Sequence, residues 1–320
     1  MERIDIMDNR IELLVRVSEL YYQQNLNQQE ISKIMNISRP TISRLLDEAK
    51  TVGVVEIIVH SPILKNPELS NEIRNTFHLR EAIVIAGEYD YDKALLRCAE
   101  TASKFALTVL ENNQTLGISW GQAIRDFCQT LNPANYYNVN VVQMVGCLGI
   151  GNPRYDGLEL ALEISKKLGA TYSNIYAPVY IDSQIVHSYL MAEPQIDTTI
   201  KKSMTADVIV TGVGSFEQSE STLQNAGYYT EEDRLNMLSR GCVSHILARP
   251  LDRNGKEIIT KNRYVIAAPL EAMKQASWSI AISASAEKAE SIYSVLNGGY
   301  VNTLIIDEPL AKALLQLKNI

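Results

Sequence analysis

Apolar residues recur every three or four positions through the first fifty residues, and further on they gather into short runs separated by helical stretches. Ile11, Leu14, Val15, Val17, Ser18 and Tyr21 share helical spacing and predict an amphipathic helix over Asp8–Gln24. Asn27 with Glu30 three residues on reads as a capping box, opening a short helix to Met35 that carries Ile31 and Ile34 inward. Asn36-Ile37 then turns the chain. Ser38 is the next N-cap, Pro40 falls in a first turn where a missing N–H costs nothing, and the helix runs to Thr51 with Ile42, Leu45, Leu46 and Ala49 inward. Gly53 stops it, and Val54–His60 alternates as a short strand.

Beyond residue 60 the pattern changes. Candidate strands are Ala82–Ala86, Thr115–Ser119, Asn140–Val145, Thr171–Ala177, Asp207–Gly212, Ser244–Ala248, Ser279–Ser283 and Asn302–Ile306. Helical patterns fill the gaps at Tyr91–Glu111, Gly121–Leu131, Asp156–Leu168, Thr198–Met204, Thr230–Arg240, Ala286–Leu296 and Pro309–Leu317. Strands alternating with helices predict βαβ units and a mostly parallel sheet covered on both faces, an α/β fold. The expected organisation is a winged helix-turn-helix head at 1–60, a Pro-bounded linker at 61–67 (SPILKNP) and an α/β body at 68–320.

Composition narrows the function. With 46% hydrophobic and 21% charged residues the 320-residue chain can bury a core, and no apolar run is long enough to span a bilayer. The start, MERIDIMDNRIE, lacks the apolar stretch of a secretory signal. Cys98, Cys128, Cys147 and Cys242 are scattered, as are the four histidines, so free thiols in a reducing cytoplasm are expected and no metal or other cofactor. A net charge of −7 argues against nonspecific nucleic-acid binding, so any DNA contact has to be local.

Such a local site exists. LNQQEISKIMNISRPTISRLL reads as a helix-turn-helix whose second helix offers Ser38, Arg39, Thr41, Ser43 and Arg44 to base edges in a major groove. Gln28 at the preceding helix start can donate to a phosphate. Between Ile31 and Leu46 stand Lys33, Arg39 and Arg44 and no acidic residue. A three-helix packing element with solvated arginines has the same pattern of apolar positions. So lightly charged a head needs a dimer or larger oligomer for strong operator binding.

In the body, Gly117-Ile118-Ser119-Trp120-Gly121 matches the GxSxG of hydrolases, but the last histidine, His245, has 75 residues after it and no oxyanion segment precedes the loop. The competing reading is an anion cradle, with N–H groups of Ser119–Gln122 and the Ser119 hydroxyl pointing at a phosphate and Trp120 covering it. A tight turn without ligand also fits these residues. Further glycine turns at Gly146-Cys147 and Gly212–Gly214 should lie at the same carboxyl edge of the sheet. Asp252 can accept sugar hydroxyls or merely cap its own turn, and Lys288 can neutralise a phosphate or lie solvated on its helix. No catalytic pair is legible. Leu69, Ile73 and Phe77 form a stripe that suits either a partner helix or an internal contact.

Taken together, YYQQNLNQQEISKIMNISRPTISRLL, GISWG, VVQMVG, AGYYTEED, LDRNGKEI, SASAEKAESI and GGYVNTLIIDEPLAKALL resemble the SorC/DeoR-type sugar-binding transcriptional regulators of bacteria, in order and over nearly the whole chain. The resemblance implies a winged head on a Rossmann-like effector domain akin to sugar-phosphate isomerases, usually tetrameric, binding operator DNA and a phosphorylated sugar or polyol. It implies a cytoplasmic repressor of a carbohydrate operon rather than an enzyme. An isomerase, deaminase or hydrolase with an accessory head is the alternative. Gly146-Cys147 departs from a common Gly-Gly pair, and Ser283-Ala284-Ser285 from Ala-Gly-Gly. Val145 stands where deoxyribonucleoside-type members have a lysine, so covalent ligand capture there is not implied.

Overall fold

A computed structural model of the chain describes residues 2–55, 63–149, 156–217 and 222–318, with side chains in the first helix described from residue 10. It divides into two compact units, Met1–Pro62 and Ile63–Ile320. In the first, α1 (Glu2–Ser18) runs into a π-turn at Glu19–Gln23 and is followed by α2 (Gln28–Met35) and α3 (Arg39–Thr51). The capping box forms in full: Asn27 accepts from the N–H groups of Gln29 and Glu30, while Glu30 accepts from Asn27 N–H. Asn36 takes a left-handed conformation and Ser38 caps α3. Leu14, Val17, Leu20, Ile31, Ile42, Leu45, Leu46 and Ala49 are the buried core.

The inward assignment of Ile34 fails, and two residues of the first helix's expected apolar spacing lie off the core face. Ile11, Val15 and Ile34 are 46%, 38% and 59% exposed. At ~100° per residue, Ile11 and Val15 lie roughly 90° or more from the line through Leu14, Val17 and Tyr21 that faces the core. In α2 it is Met35, four residues on, that joins Ile31 against the core. Helical spacing admits two neighbouring lines, and packing selects one. Val54 and Val55 lie outside any strand, and the rest of the expected Val54–His60 strand, the wing, lies outside the described residues.

The expected linker is described from Ile63 on, where it pairs beside the first strand: Asn66 N–H donates to Val84 O and Ala86 N–H to Leu64 O, each at 2.8 Å. Pro67 opens α4 (Pro67–Thr76), whose Leu69 and Ile73 are buried in the body's own core. That settles the Leu69–Ile73 stripe as an internal contact.

The strands are β1 (Glu81–Ile85), β2 (Thr115–Ile118), β3 (Asn140–Gln143), β4 (Thr171–Ser173), β5 (Tyr180–Ile181), β6 (Val208–Gly212), β7 (Gly214–Ser215), β8 (Cys242–Ile246), β9 (Arg249–Asp252), β10 (Tyr264–Val265), β11 (Trp278–Ile282) and β12 (Thr303–Asp307). Seven make one all-parallel sheet in the order β1-β12-β11-β6-β2-β3-β4. Helices α5 (Tyr91–Val109), α6 (Gln122–Thr130) and α7 (Gly157–Leu168) belong to the crossovers that follow β1, β2 and β3. Apolar clusters on Val84, Val142, Ile209 and Leu304, and on Ile85, Leu116, Phe127 and Ile305, fill the two faces. The expected strand Ser244–Ala248 is a correction: as β8 it joins an antiparallel sheet, β7-β8-β9. Its buried run looked like a parallel strand because both kinds are dry. From β2 the chain winds outward to β3 and β4, and at β6 it returns beside β2 and winds the other way. A crevice opens at the carboxyl ends of strands where the order reverses in this manner.

Replacing Asn27 by Ala removes the acceptor for two α2 amides and should cost about 1 kcal/mol. Urea unfolding of the full chain, followed by helix signal, should show an earlier loss of part of the helicity. An unchanged profile would mean the cap contributes nothing.

Candidate functional site

The crevice between β2 and β6 holds a cavity of about 990 Å³. From β2 come Ser119, Trp120, Gly121, Gln122 and Ala123; from β6, Thr211, Gly212, Val213 and Gly214; after β11, Ser283, Ser285, Glu287 and Lys288. Gly121, at φ +105°, turns the chain from strand into α6, a conformation side chains rarely adopt, and no side chain caps the helix. The first-turn N–H groups have no partner within a helix, and they carry its positive end. Gln122 is steadied by donating to Asp92 Oδ1 at 2.7 Å.

Lining the same cavity is an unusual cation. Lys288 is only 8% exposed, and its side chain makes no hydrogen bond or ion pair among the described residues. Burial pushes its pKa down to about 8, against a smaller upward pull from Glu287. A tight turn holds it there: Ser285, at φ +78°, donates its N–H to both oxygens of buried Asp307 at 3.1 Å. His245 on β8 also lines the cavity. Burial, and then the charge of Lys288, push its pKa down to about 3, so the imidazole is neutral at physiological pH. Its Nε2 has no partner among the described residues and lies where Gly214 would carry a Cβ, 1.8 Å away. Nothing in the spacing of His245 marks it for this place; the antiparallel register Gly214↔His245 puts it there.

Seven of the eleven expected effector residues come together here: Ser119, Trp120, Gly121, Gln122, Gly212, Gly214 and Lys288. Four do not line the cavity. Gly117 lies within β2 against Met144, and Gly146 packs where a Cβ would stand 2.7 Å from Ala177 O. Cys147 donates to Ile175 O, and burial pushes its thiol up to about 11. Asp252 accepts from the N–H groups of Asn254 and Lys256, the turn-capping role. Ser119 and His245 share the cavity without a hydrogen bond; Ser119 Oγ instead accepts from Thr211 at 3.1 Å. No metal-binding cluster and no helix able to cross a membrane occur among the described residues.

A family model described as "Putative sugar-binding domain" matches residues 61–316. The Deoxyribonucleoside regulator of Bacillus subtilis (strain 168) is 28% identical over 307 residues, covering 95% of this chain and 97% of that one. The Sorbitol operon regulator of Klebsiella pneumoniae is 28% identical over 316 residues, covering 96% and 98%. The crystal structure of full-length SorC from Klebsiella pneumoniae superposes with a TM-score of 0.73 at 27% identity, covering 96% of this chain and 99% of that one. The chain belongs to the SorC/DeoR-type sugar-binding transcriptional regulators.

In this regulator Val145 lines the cavity, so an apolar side chain stands at the position for which the resemblance gives a lysine in deoxyribonucleoside-type members. In the head, Ser38, Arg39, Thr41 and Arg44 are exposed, Gln28 and Ser43 half-buried. Arg39 and Arg44 form no ion pair among the described residues. The Ser38 and Thr41 hydroxyls hydrogen-bond each other at 2.8 Å, and Ser38 caps α3 by accepting from the Thr41 N–H.

The lowered pKa of Lys288 has a definite sign. Between about pH 8 and its ordinary value of 10.5, the unfolded chain keeps a proton there that the folded chain has released, so this residue's contribution to stability grows as pH rises through that window. An anion bound beside it favours the ammonium form instead. Affinity for a phosphorylated ligand should be greatest below pH 8 and decline above it, and Lys288→Met should flatten that decline. Calorimetric titration across the window checks both; a flat wild-type profile contradicts them.

Proposed function

We propose that this regulator is an effector-responsive repressor of a carbohydrate or polyol operon. Its head reads operator DNA, and a phosphorylated sugar or polyol in the cavity modulates that binding. The observation that carries the ligand class is Lys288: a buried cation without a partner, lining the same cavity as the uncapped start of α6. An unpaired buried charge is costly, and an anion relieves that cost. Carboxylates and amides on the walls suit hydroxyls on the rest of the ligand. The operon class is supported by the names of the sorbitol and deoxyribonucleoside regulators. We read the chain as a cytoplasmic homo-oligomer, a tetramer, because so lightly charged a head gains from tethering several copies. A non-enzymatic role is supported by the missing base for Ser119 and by Val145 in place of a lysine.

A panel of sugars and polyols with and without phosphate tests the ligand. Phosphorylated members should raise the melting temperature far more than their free forms, ~100-fold saturation corresponding to about 2.7 kcal/mol. Equal shifts would replace the anion by a neutral carbohydrate, and turnover of any member would restore the enzyme reading.

The head is tested separately. Arg39→Ala and Arg44→Ala should each weaken operator binding by roughly 1–3 kcal/mol while leaving ligand-induced stabilisation intact. Operator affinity equal to wild type in both variants would remove α3 as the reading helix.

A further inference from the structure

Helix α8 (Gln184–Ala192, QIVHSYLMA) packs over the paired strands β5 and β10, carries no Asp, Glu, Lys or Arg, and has no buried residue. Its inner side is anchored: Leu190 and Met191 lie against the cluster of Ile175 and Ile266, and His187 Nε2 meets Val265 O at 3.0 Å. On the opposite side, at ~100° per residue, Ile185, Ser188, Tyr189 and Ala192 fall within roughly 100° of one another. Ile185 is 70% and Tyr189 74% exposed, and with Gln184 these four line a shallow groove of about 520 Å³. An uncharged helix that keeps two large side chains in water marks a surface that another surface covers.

We propose that a second copy of the chain docks here, α8 against α8, antiparallel about a two-fold axis. The inference rests on the homo-oligomer reading and places one of its interfaces. The face itself names the occupant. In a two-fold contact residue i meets j while j meets i. An axis midway between Ser188 and Tyr189 sets Ile185 opposite Ala192 and Tyr189 opposite Ser188, so each large side chain faces a small one. The next pair outward is Gln184 with exposed Glu193, an amide donor beside a carboxylate. Apolar groups thus meet at the centre and polar groups pair at the rim, as interfaces are built. Antiparallel helices also set opposite dipole ends together. Ile185, Tyr189 and the flanking Val186, 47% exposed, offer on the order of 400 Å² per copy, about half of the ~800 Å² that a standard interface buries on each partner. No charge at the centre has to lose its water.

Sedimentation velocity of the full-length chain at micromolar concentration reads the assembly. The wild type should sediment as an oligomer. Ile185→Glu and Tyr189→Glu each place a charge at an exposed position, and each should halve the sedimenting mass while the helical signal stays that of the wild type. Residues 185 and 192 stand about 10 Å apart along one helix and do not pair within a copy, whereas across the axis they meet. Adding Ala192→Lys to Ile185→Glu should therefore restore the wild-type mass. Wild-type mass in both single variants overturns the interface and leaves the face to another protein. A double variant as dissociated as Ile185→Glu overturns the antiparallel pairing of two copies. If the wild type is itself a monomer, the homo-oligomer reading falls together with the interface, which separates that failure from the others.

Discussion

A parallel sheet dry on both faces leaves its backbone no freedom except at the strand ends, and that constraint organises the whole body. Each strand must feed a crossover, each crossover begins at the carboxyl edge, and each helix begins with N–H groups that nothing in the helix can satisfy. Where β2 and β6 diverge, the start of α6 lies in the same crevice as the turn from β6 into β7. Lys288 adds to it a charge that no described residue pairs. The strained Ser285 turn, anchored on Asp307, keeps the lysine in a place that desolvation disfavours. Strain and unpaired charge stored at one edge are the pattern expected where a ligand completes the structure.

Much of this was written in local sequence. Asn27, Ser38, Asp90, Asp156 and Thr230 all cap the helices that follow them, because a cap depends on three or four neighbouring residues. Buried runs located the parallel strands for the same reason. What sequence could not give was pairing across distance. β8 has the same dry pattern as a central strand, and only its register with Gly214 shows it to be antiparallel and brings His245 to the cavity. The Gly146-Cys147 turn has the composition of a ligand loop, yet its glycine serves the close passage of Ala177 and Pro178. Glycine marks close approach, and sequence does not say of what.

The head divides its polar residues by task. Ser38 and Thr41 are spent on holding α3 in place, since an N-cap oxygen bonded to its own helix has less left to offer a base edge. Arg39 and Arg44, exposed on the same helix and unpaired among the described residues, keep their donors. Sequence-specific contacts in the proposed complex thus fall mainly to the arginines, with the serine and threonine setting their position.

The central claim is that the start of α6 and Lys288 form one anion site. Crystals of the full-length protein soaked with tungstate, a strongly scattering dianion, locate such a site directly. The account predicts an anomalous peak in the cavity within hydrogen-bonding reach of the Gln122 and Ala123 amides and of Lys288 Nζ. Peaks confined to the molecular surface, with the cavity empty, would contradict it.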